Sequence, residues 1–209
     1  MKETRQRILD TARRLFNAEG LHRVGVREVA RAADMSVGNL AYYFPTKDDL
    51  VAAIVTELHV LNQRMIFAAL PEKFSLLILY RAATAVMRNM LDYRFVLLSY
   101  VDAVTASPPL RVLEERLLQK RRQRHTDMLE ALIRCGHLDW RVRARSDVIY
   151  EQSAMISSGW LAAAALRGLD DEVAVRHFAK LGCALLEPHC TPRGKRQLRQ
   201  ILKGDHDGG

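Results

Sequence analysis

Cysteine is scarce in this chain. Cys135, Cys183 and Cys190 are scattered among 209 residues. An odd, dispersed set excludes a disulfide framework and is the pattern of a reduced, cytoplasmic protein. Cys183, His189 and Cys190 lie near one another, but their spacing fits no zinc pattern, so inert thiols and no metal are expected. Long apolar runs are missing too. A membrane span needs about 18 uncharged apolar residues. The nearest approach, Met155 to Leu166, is shorter and holds Ser157, Ser158 and Gly159. The opening Met-Lys-Glu-Thr-Arg-Gln-Arg lacks the apolar core of a signal peptide. No membrane partner is expected.

Alternating strand patterns bounded by hairpin turns do not occur, nor does a repeat of fixed period, which argues against a β fold and a solenoid. There is no G-x-S-x-G elbow, H-E-x-x-H pair, P-loop or dinucleotide fingerprint. No cofactor is expected, and nothing calls for an enzyme. An all-helical enzyme with a carboxylate or His site, or a helical adaptor that binds protein, stands as the reading from another class. Acidic residues are the minority charge, 24 against 32 basic, for a net charge of +8. That excess suits an acidic partner such as nucleic acid, although a solvated basic face gives the same number.

What the chain does have is helical periodicity, punctuated by breakers. Ile8, Leu9, Ala12, Leu15 and Phe16 share one face of a helix over about 4–19, with Gly20 just past its end. A short helix over 26–33 turns Val26, Val29, Ala30 and Ala33 inward. After Asp34-Met35, Ser36 can cap a third helix over 37–43. Pro45 breaks the pattern, and Thr46 with Asp49 forms a capping-box pair that starts a fourth helix over 47–69. Further helices are expected near 73–92, 94–106, 109–135, 146–167, 171–187 and 193–203, separated by Pro108-Pro109, Gly136, Gly168, Pro188 and Pro192. Residues 204–209 read as a disordered tail. The fold class is all-α. Phe74 to Tyr80 and Ser153 to Leu166 are apolar on more than one face, so those helices need cover on several sides.

The stretch "SVGNLAYYFPTK", 36–47, carries the most chemistry. Two short helices joined by a three-residue turn, with small Ala30 at their crossing, describe a helix-turn-helix. Val29, Met35 and Leu40 would fill the space between them. Ser36, Val37, Asn39, Tyr42 and Tyr43 would then face outward, with Gly38 permitting close approach to a groove wall. Asn39 can read a base edge and Val37 a thymine methyl. Tyrosine hydroxyls are phosphate donors, and Lys47 adds a cation. Tyr42, Tyr43 and Phe44 could instead be core aromatics. Phe44 is taken as core, but two tyrosines about 100° apart on a thin helix cannot both be deeply buried.

The run "VREVARAADMSVGNLAYYFPTKDDL", 26–50, resembles the DNA-binding domain of TetR-family transcriptional regulators. The resemblance covers about the first 50 residues. It implies an N-terminal three-helix helix-turn-helix domain, 1–48, followed by a larger helical ligand-binding and dimerisation domain, 49–203. Ser36, Val37, Gly38 and Asn39 would face the major groove, Tyr42, Tyr43 and Lys47 would hold phosphates, and Arg27 would sit near the backbone. Where the family often has Gly at the turn, this chain has Asp34, which tolerates a left-handed backbone. Gly25 in place of Ser or Thr predicts a weaker cap on the second helix.

The family further implies a homodimer on double-stranded DNA with a palindromic operator, built through the last two large helices. Ala154, Ser157, Ser158, Leu161, Ala165, Phe178, Leu181 and Leu185 are the interface candidates, with intrachain core as the plainer role for the same residues. A small-molecule effector is implied, with Tyr80, Arg81, Thr84, Met87, Arg88, Tyr100, Asp102, Met128, Gln152 and Trp160 as candidates to hold it. Arg81 and Arg88 could bind an acidic ligand, or Arg88 could pair with Asp92. The expected function is a repressor released by its ligand, or else a ligand-responsive activator. The basic run "KRRQRH", 120–125, is read as a solvated face or as general attraction to DNA.

Overall fold

Ile8, Leu9, Ala12 and Phe16 recur at helical spacing, and all four are buried in the first helix, α1 (Lys2–Glu19). In this computed structural model, which describes residues 2–67 and 73–204, the pattern continues through α2 (Val26–Ala32), α3 (Val37–Tyr43), α4 (Lys47–Phe67), α5 (Leu76–Leu91), α6 (Arg94–Leu98), α7 (Tyr100–Ala106), α8 (Pro108–Arg134), α9 (Ser146–Leu166), α10 (Asp171–Ala184) and α11 (Pro192–Lys203). Two 3₁₀ segments, Trp140–Arg145 and Glu187–His189, were not foreseen. The described residues contain no strand, only an isolated bridge between Leu138 and Cys190. None of their helices is long and apolar enough to cross a membrane.

Several boundaries differ from the sequence reading, each for a local reason. The helix expected over 94–106 is two helices that meet at Ser99, whose hydroxyl bonds the Phe95 carbonyl at 3.0 Å. Pro108 and Pro109 mark the break between α7 and α8, as expected, but they lie inside the second of these helices. They form the first turn of α8, where a missing N–H costs nothing. The helix expected over 171–187 stops at Ala184, and the one expected from 73 starts at Leu76. The last residues of the 47–69 helix, and the tail from 205 on, lie outside the described residues.

The chain forms two compact units. The first joins Met1–Leu61 to Met90–Leu117. Its core sets α1 against Val24, Val29, Ala30, Leu40, Phe44, Leu50 and Ile54, all buried. Phe16 meets Phe95 with ring centroids 5.3 Å apart. The segment from α6 to the start of α8 is fastened to the first helices by polar bonds as well. Asn17 donates to the Asp92 carbonyl at 2.8 Å and accepts from the Phe95 amide at 3.1 Å. The Tyr93 hydroxyl donates to Glu57 at 2.9 Å, and burial, with this bond adding to it, pushes the phenol up to about 12. The Ser107 hydroxyl donates to Asp48 at 2.6 Å.

The second unit joins Asn62–Asn89 to Leu118–Gly209. Gly168 ends α9 in the left-handed region, at φ 61°, with the Leu169 amide closing back on the Ala164 carbonyl at 3.0 Å. Asp170 then caps α10 through the Glu172 amide at 2.9 Å. Trp160 of α9 packs on Phe178 of α10, with centroids 6.4 Å apart. The basic run 120–125 is solvated at Lys120, Arg122 and Gln123, as expected, but it turns one residue inward. His125 is only 8% exposed and stands edge-on to Tyr150, while Arg122 lies over the Tyr150 ring and reaches Asp147 and Glu151, each at 2.6 Å. Burial, with Arg122 adding to it, lowers the His125 pKa to about 4.

Candidate nucleic-acid interface

The turn before α3 is set by Asp34, the one non-glycine with positive φ among the described residues, at 52°. The left-handed backbone foreseen there is present, and the Met35 amide closes the turn on the Ala30 carbonyl at 3.0 Å. Ser36 then caps α3, its hydroxyl accepting from the Asn39 amide at 3.1 Å. Leu40 within α3 and Phe44 just after it are buried and hold the helix to the body of the unit. The opposite side is open. Ser36, Val37, Gly38, Asn39 and Tyr42 are all exposed, Val37 at 44% and Tyr42 at 74%. A Cβ at Gly38 would touch nothing within 4 Å, so packing within the chain does not require glycine there.

Tyr43 is half-buried against the core and meets the Tyr42 ring edge-on at 5.3 Å. Arg27 is exposed on α2. The weak cap expected at Gly25 is repaired from inside the helix. Glu28 accepts from the Gly25 amide at 3.0 Å, and backbone hydrogen bonding lowers its pKa.

Lys47 is half-buried and has a partner within the chain. Its ammonium donates to the Leu21 carbonyl at 2.5 Å and lies 5.9 Å from the centre of the Phe16 ring. Burial lowers its pKa, opposed by Asp48 and Glu28. The side chain ties the first turn of α4 to the loop after α1. The partner is a backbone carbonyl 26 positions away, a link that residue types alone do not signal. Sequence reasoning also passed over Arg5, whose guanidinium sits 5.1 Å from the Phe44 ring centre beneath α3.

The candidates for effector and dimer are spread between core and surface. Tyr80, Thr84, Met87 and Trp160 are buried in the second unit, Met128 is half-buried, and Arg81 and Gln152 are exposed. The Trp160 indole is 1% exposed and its N–H has no hydrogen-bond partner. Arg88 makes a bidentate pair with Glu172, at 2.8 to 3.1 Å, so its charge is already matched. Tyr100 and Asp102 belong to the first unit, where Tyr100 is buried and Asp102 faces His22 at 3.1 Å. On α9 and α10, Leu161 and Phe178 are covered within the chain, Ala154 and Leu185 are half-buried, and Ser157, Ser158, Ala165 and Leu181 are exposed. The exposed set continues through Met155, Gly159, Ala162 and Leu166, one stripe along α9. Cys183 and Cys190 are buried, and burial pushes their thiols up to about 12 and about 11.

Comparison with known proteins gives the family. Residues 8–54 match the profile described as bacterial regulatory proteins, tetR family, and residues 63–198 match one described as bacterial transcriptional repressor. The chain is 42% identical over 53 residues to the HTH-type transcriptional regulator AcrR of Shigella flexneri, a match covering 25% of each protein. It is 42% identical over 64 residues to the HTH-type transcriptional repressor KstR of Rhodococcus jostii RHA1, covering 30% of each. The matched segments thus span about a quarter to a third of these curated relatives. In fold, the chain resembles a TetR-family transcriptional regulator from Marinobacter aquaeolei VT8, with TM-score 0.77 at 19% identity over 95% of this chain and 97% of that one. It also resembles SmeT, the repressor of the Stenotrophomonas maltophilia multidrug efflux pump SmeDEF, with TM-score 0.68 at 15% identity over 90% and 91%. SmeT is also known in a complex with triclosan. The chain belongs to the tetR family of bacterial regulatory proteins.

Proposed function

We propose that the protein is a homodimeric, ligand-responsive repressor that leaves a palindromic operator when a small molecule binds. One observation carries the DNA side of this reading. A short helix pinned by Leu40 and Phe44 exposes Ser36, Val37, Gly38, Asn39 and Tyr42 together. Val37 and Asn39 read base edges in the major groove, Gly38 lets the backbone approach, and Tyr42 holds a phosphate, as does Arg27. Tyr43 contributes from a half-buried position. Lys47 acts indirectly, by fixing the start of α4. Reading belongs to residues 1–48, and ligand binding and dimerisation to 49–203. The protein works without catalysis, in the cytoplasm.

The dimer is supported by the exposed α9 stripe and by Leu181 on α10. Small residues there permit close helix approach, and Met155 and Leu166 supply apolar area that is otherwise left in water. The effector is supported by the unpartnered Trp160 N–H, a buried donor that lacks an acceptor, and by the triclosan complex of SmeT. Repression is supported by the names of KstR and SmeT. Transmission is supported by the bonds of Asn17, Tyr93 and Ser107, which make residues 90–117 move with α1 and α4. A ligand that favours one arrangement of 90–117 shifts the reading helices between two populations.

The test is selection of bound duplexes from a random DNA pool, followed by measurement of the complex mass. The expected result is a palindrome with half-sites about one turn, roughly 34–36 Å, apart and two chains per duplex. Enrichment of an asymmetric site bound by one chain contradicts the reading.

A further inference from the structure

The second unit holds a cavity of about 690 Å³ far richer in cations than in any other kind of charge. Lys73, Arg134, Arg193 and Arg196 line it, and among the described residues no carboxylate does. Each of the four is exposed. The nearby carboxylate of Glu130 is held by the Arg143 guanidinium at 2.6 and 2.7 Å. Four like charges around one concavity repel one another, and their field concentrates anions inside it. His137 also lines the cavity. It is 2% exposed, and its Nδ1 has no hydrogen-bond partner.

The walls are fixed before any ligand arrives. The Thr191 amide donates to the His137 carbonyl at 3.0 Å, and the Thr191 hydroxyl donates to the Gly136 carbonyl at 2.7 Å. Gly194 lies so close that a Cβ there would collide with the His137 carbonyl oxygen. This locks the first turn of α11 onto the end of α8. On the other side, Gln197 of α11 accepts from the Leu76 amide at the start of α5, at 2.9 Å. Arg193 and Arg196 are therefore carried on a helix bonded to both other walls. Binding to such a site orders the cationic side chains but not the backbone that carries them.

We propose that this groove binds a soluble small molecule bearing a pyrophosphate or a comparable pair of phosphate groups. Guanidinium groups match phosphate oxygens with paired N–H donors, and the volume falls in the range of about 300–1,000 Å³ usual for small-molecule sites. The site is separate from the α3 surface and does not depend on how that surface is used.

The test is calorimetric titration of the full chain with inorganic pyrophosphate. The expected result is saturable binding of one pyrophosphate per chain, weakened at least tenfold in Arg193→Gln/Arg196→Gln and unchanged in Arg27→Ala/Tyr42→Phe. Arg193 and Arg196 are exposed, so the groove variant keeps the wild-type circular dichroism and melting temperature. No saturation at millimolar pyrophosphate overturns the proposal. So does binding that survives the groove variant and is lost in the Arg27/Tyr42 variant. Duplex DNA and phosphatidylglycerol vesicles serve as further arms. If either binds through the groove while pyrophosphate does not, the groove serves a polymer or a surface, and the small-molecule assignment fails. Failure of the repressor reading leaves this titration unaffected.

Discussion

Replacing Lys47 by Met removes the ammonium and keeps most of the aliphatic stem. The wild-type ammonium donates to the Leu21 carbonyl at 2.5 Å beside the Phe16 ring. A hydrogen bond from a charged donor is worth about 1.5–3 kcal/mol, and an orphaned buried acceptor costs about 1–3 kcal/mol. Lys47 is only half-buried, so water can replace part of the lost bond. The expected destabilisation of the first unit is therefore about 1–2 kcal/mol. Tryptophan fluorescence is blind to it, because Trp140 and Trp160 both belong to the second unit. The suitable assay is native-state hydrogen exchange at the buried amides of α1 and α4. Protection there should fall by about tenfold, since about 1.4 kcal/mol is a factor of ten in an equilibrium constant. DNA affinity of the folded variant should drop only modestly. If Lys47→Met leaves protection unchanged but abolishes DNA binding, the ammonium is free to hold phosphate and the structural assignment of Lys47 is refuted.

Two other consequences are accessible. His125 is held neutral in the folded state with a pKa of about 4, against 6.5 for the free side chain. The unfolded chain binds the extra proton between those values, so stability is lost as pH falls from 6.5 to 4, by about 3 kcal/mol for this group. His125→Phe keeps the edge-on ring against Tyr150 and should flatten that part of the urea-stability profile; parallel profiles for the two proteins would count against it. On α9, Met155→Asp/Leu166→Asp places charges on the exposed stripe and should convert a dimer to monomers in light scattering, with the circular dichroism retained. A dimer that survives puts the interface elsewhere.

The α3 helix was legible because its determinants are local. Ser36 caps three residues ahead, Leu40 and Phe44 are four apart, and Asp34 announces its own turn. The same holds for Gly168 and Asp170 between α9 and α10. What escaped depends on partners distant in the chain. The bond from Lys47 to the Leu21 backbone carbonyl could not be read from the sequence. Residues 90–117 lie far from the first helices in sequence, yet Asn17, Glu57 and Asp48 bind them into the first compact unit. His125 was hidden inside a basic run, because helical periodicity turns one residue of six toward the core regardless of its neighbours' charge. Pro108-Pro109 reads as a break or as a helix start from sequence alone, and the first-turn position decides which. The basic groove was invisible for the same reason as Lys47. Lys73, Arg134 and Arg193 are spread over 120 positions, and only the fold brings them together.

The central claim is that the exposed face of α3 reads base sequence. The most direct measurement is a parallel selection from a random duplex pool with wild-type protein, Asn39→Ala and Tyr42→Phe. Asn39→Ala should relax the preference at one position of each half-site, at a cost of about 1–3 kcal/mol in discrimination. Tyr42→Phe should weaken binding uniformly and leave the enriched sequence unchanged. An identical enriched sequence at full affinity for all three proteins would show that this face does not touch the bases.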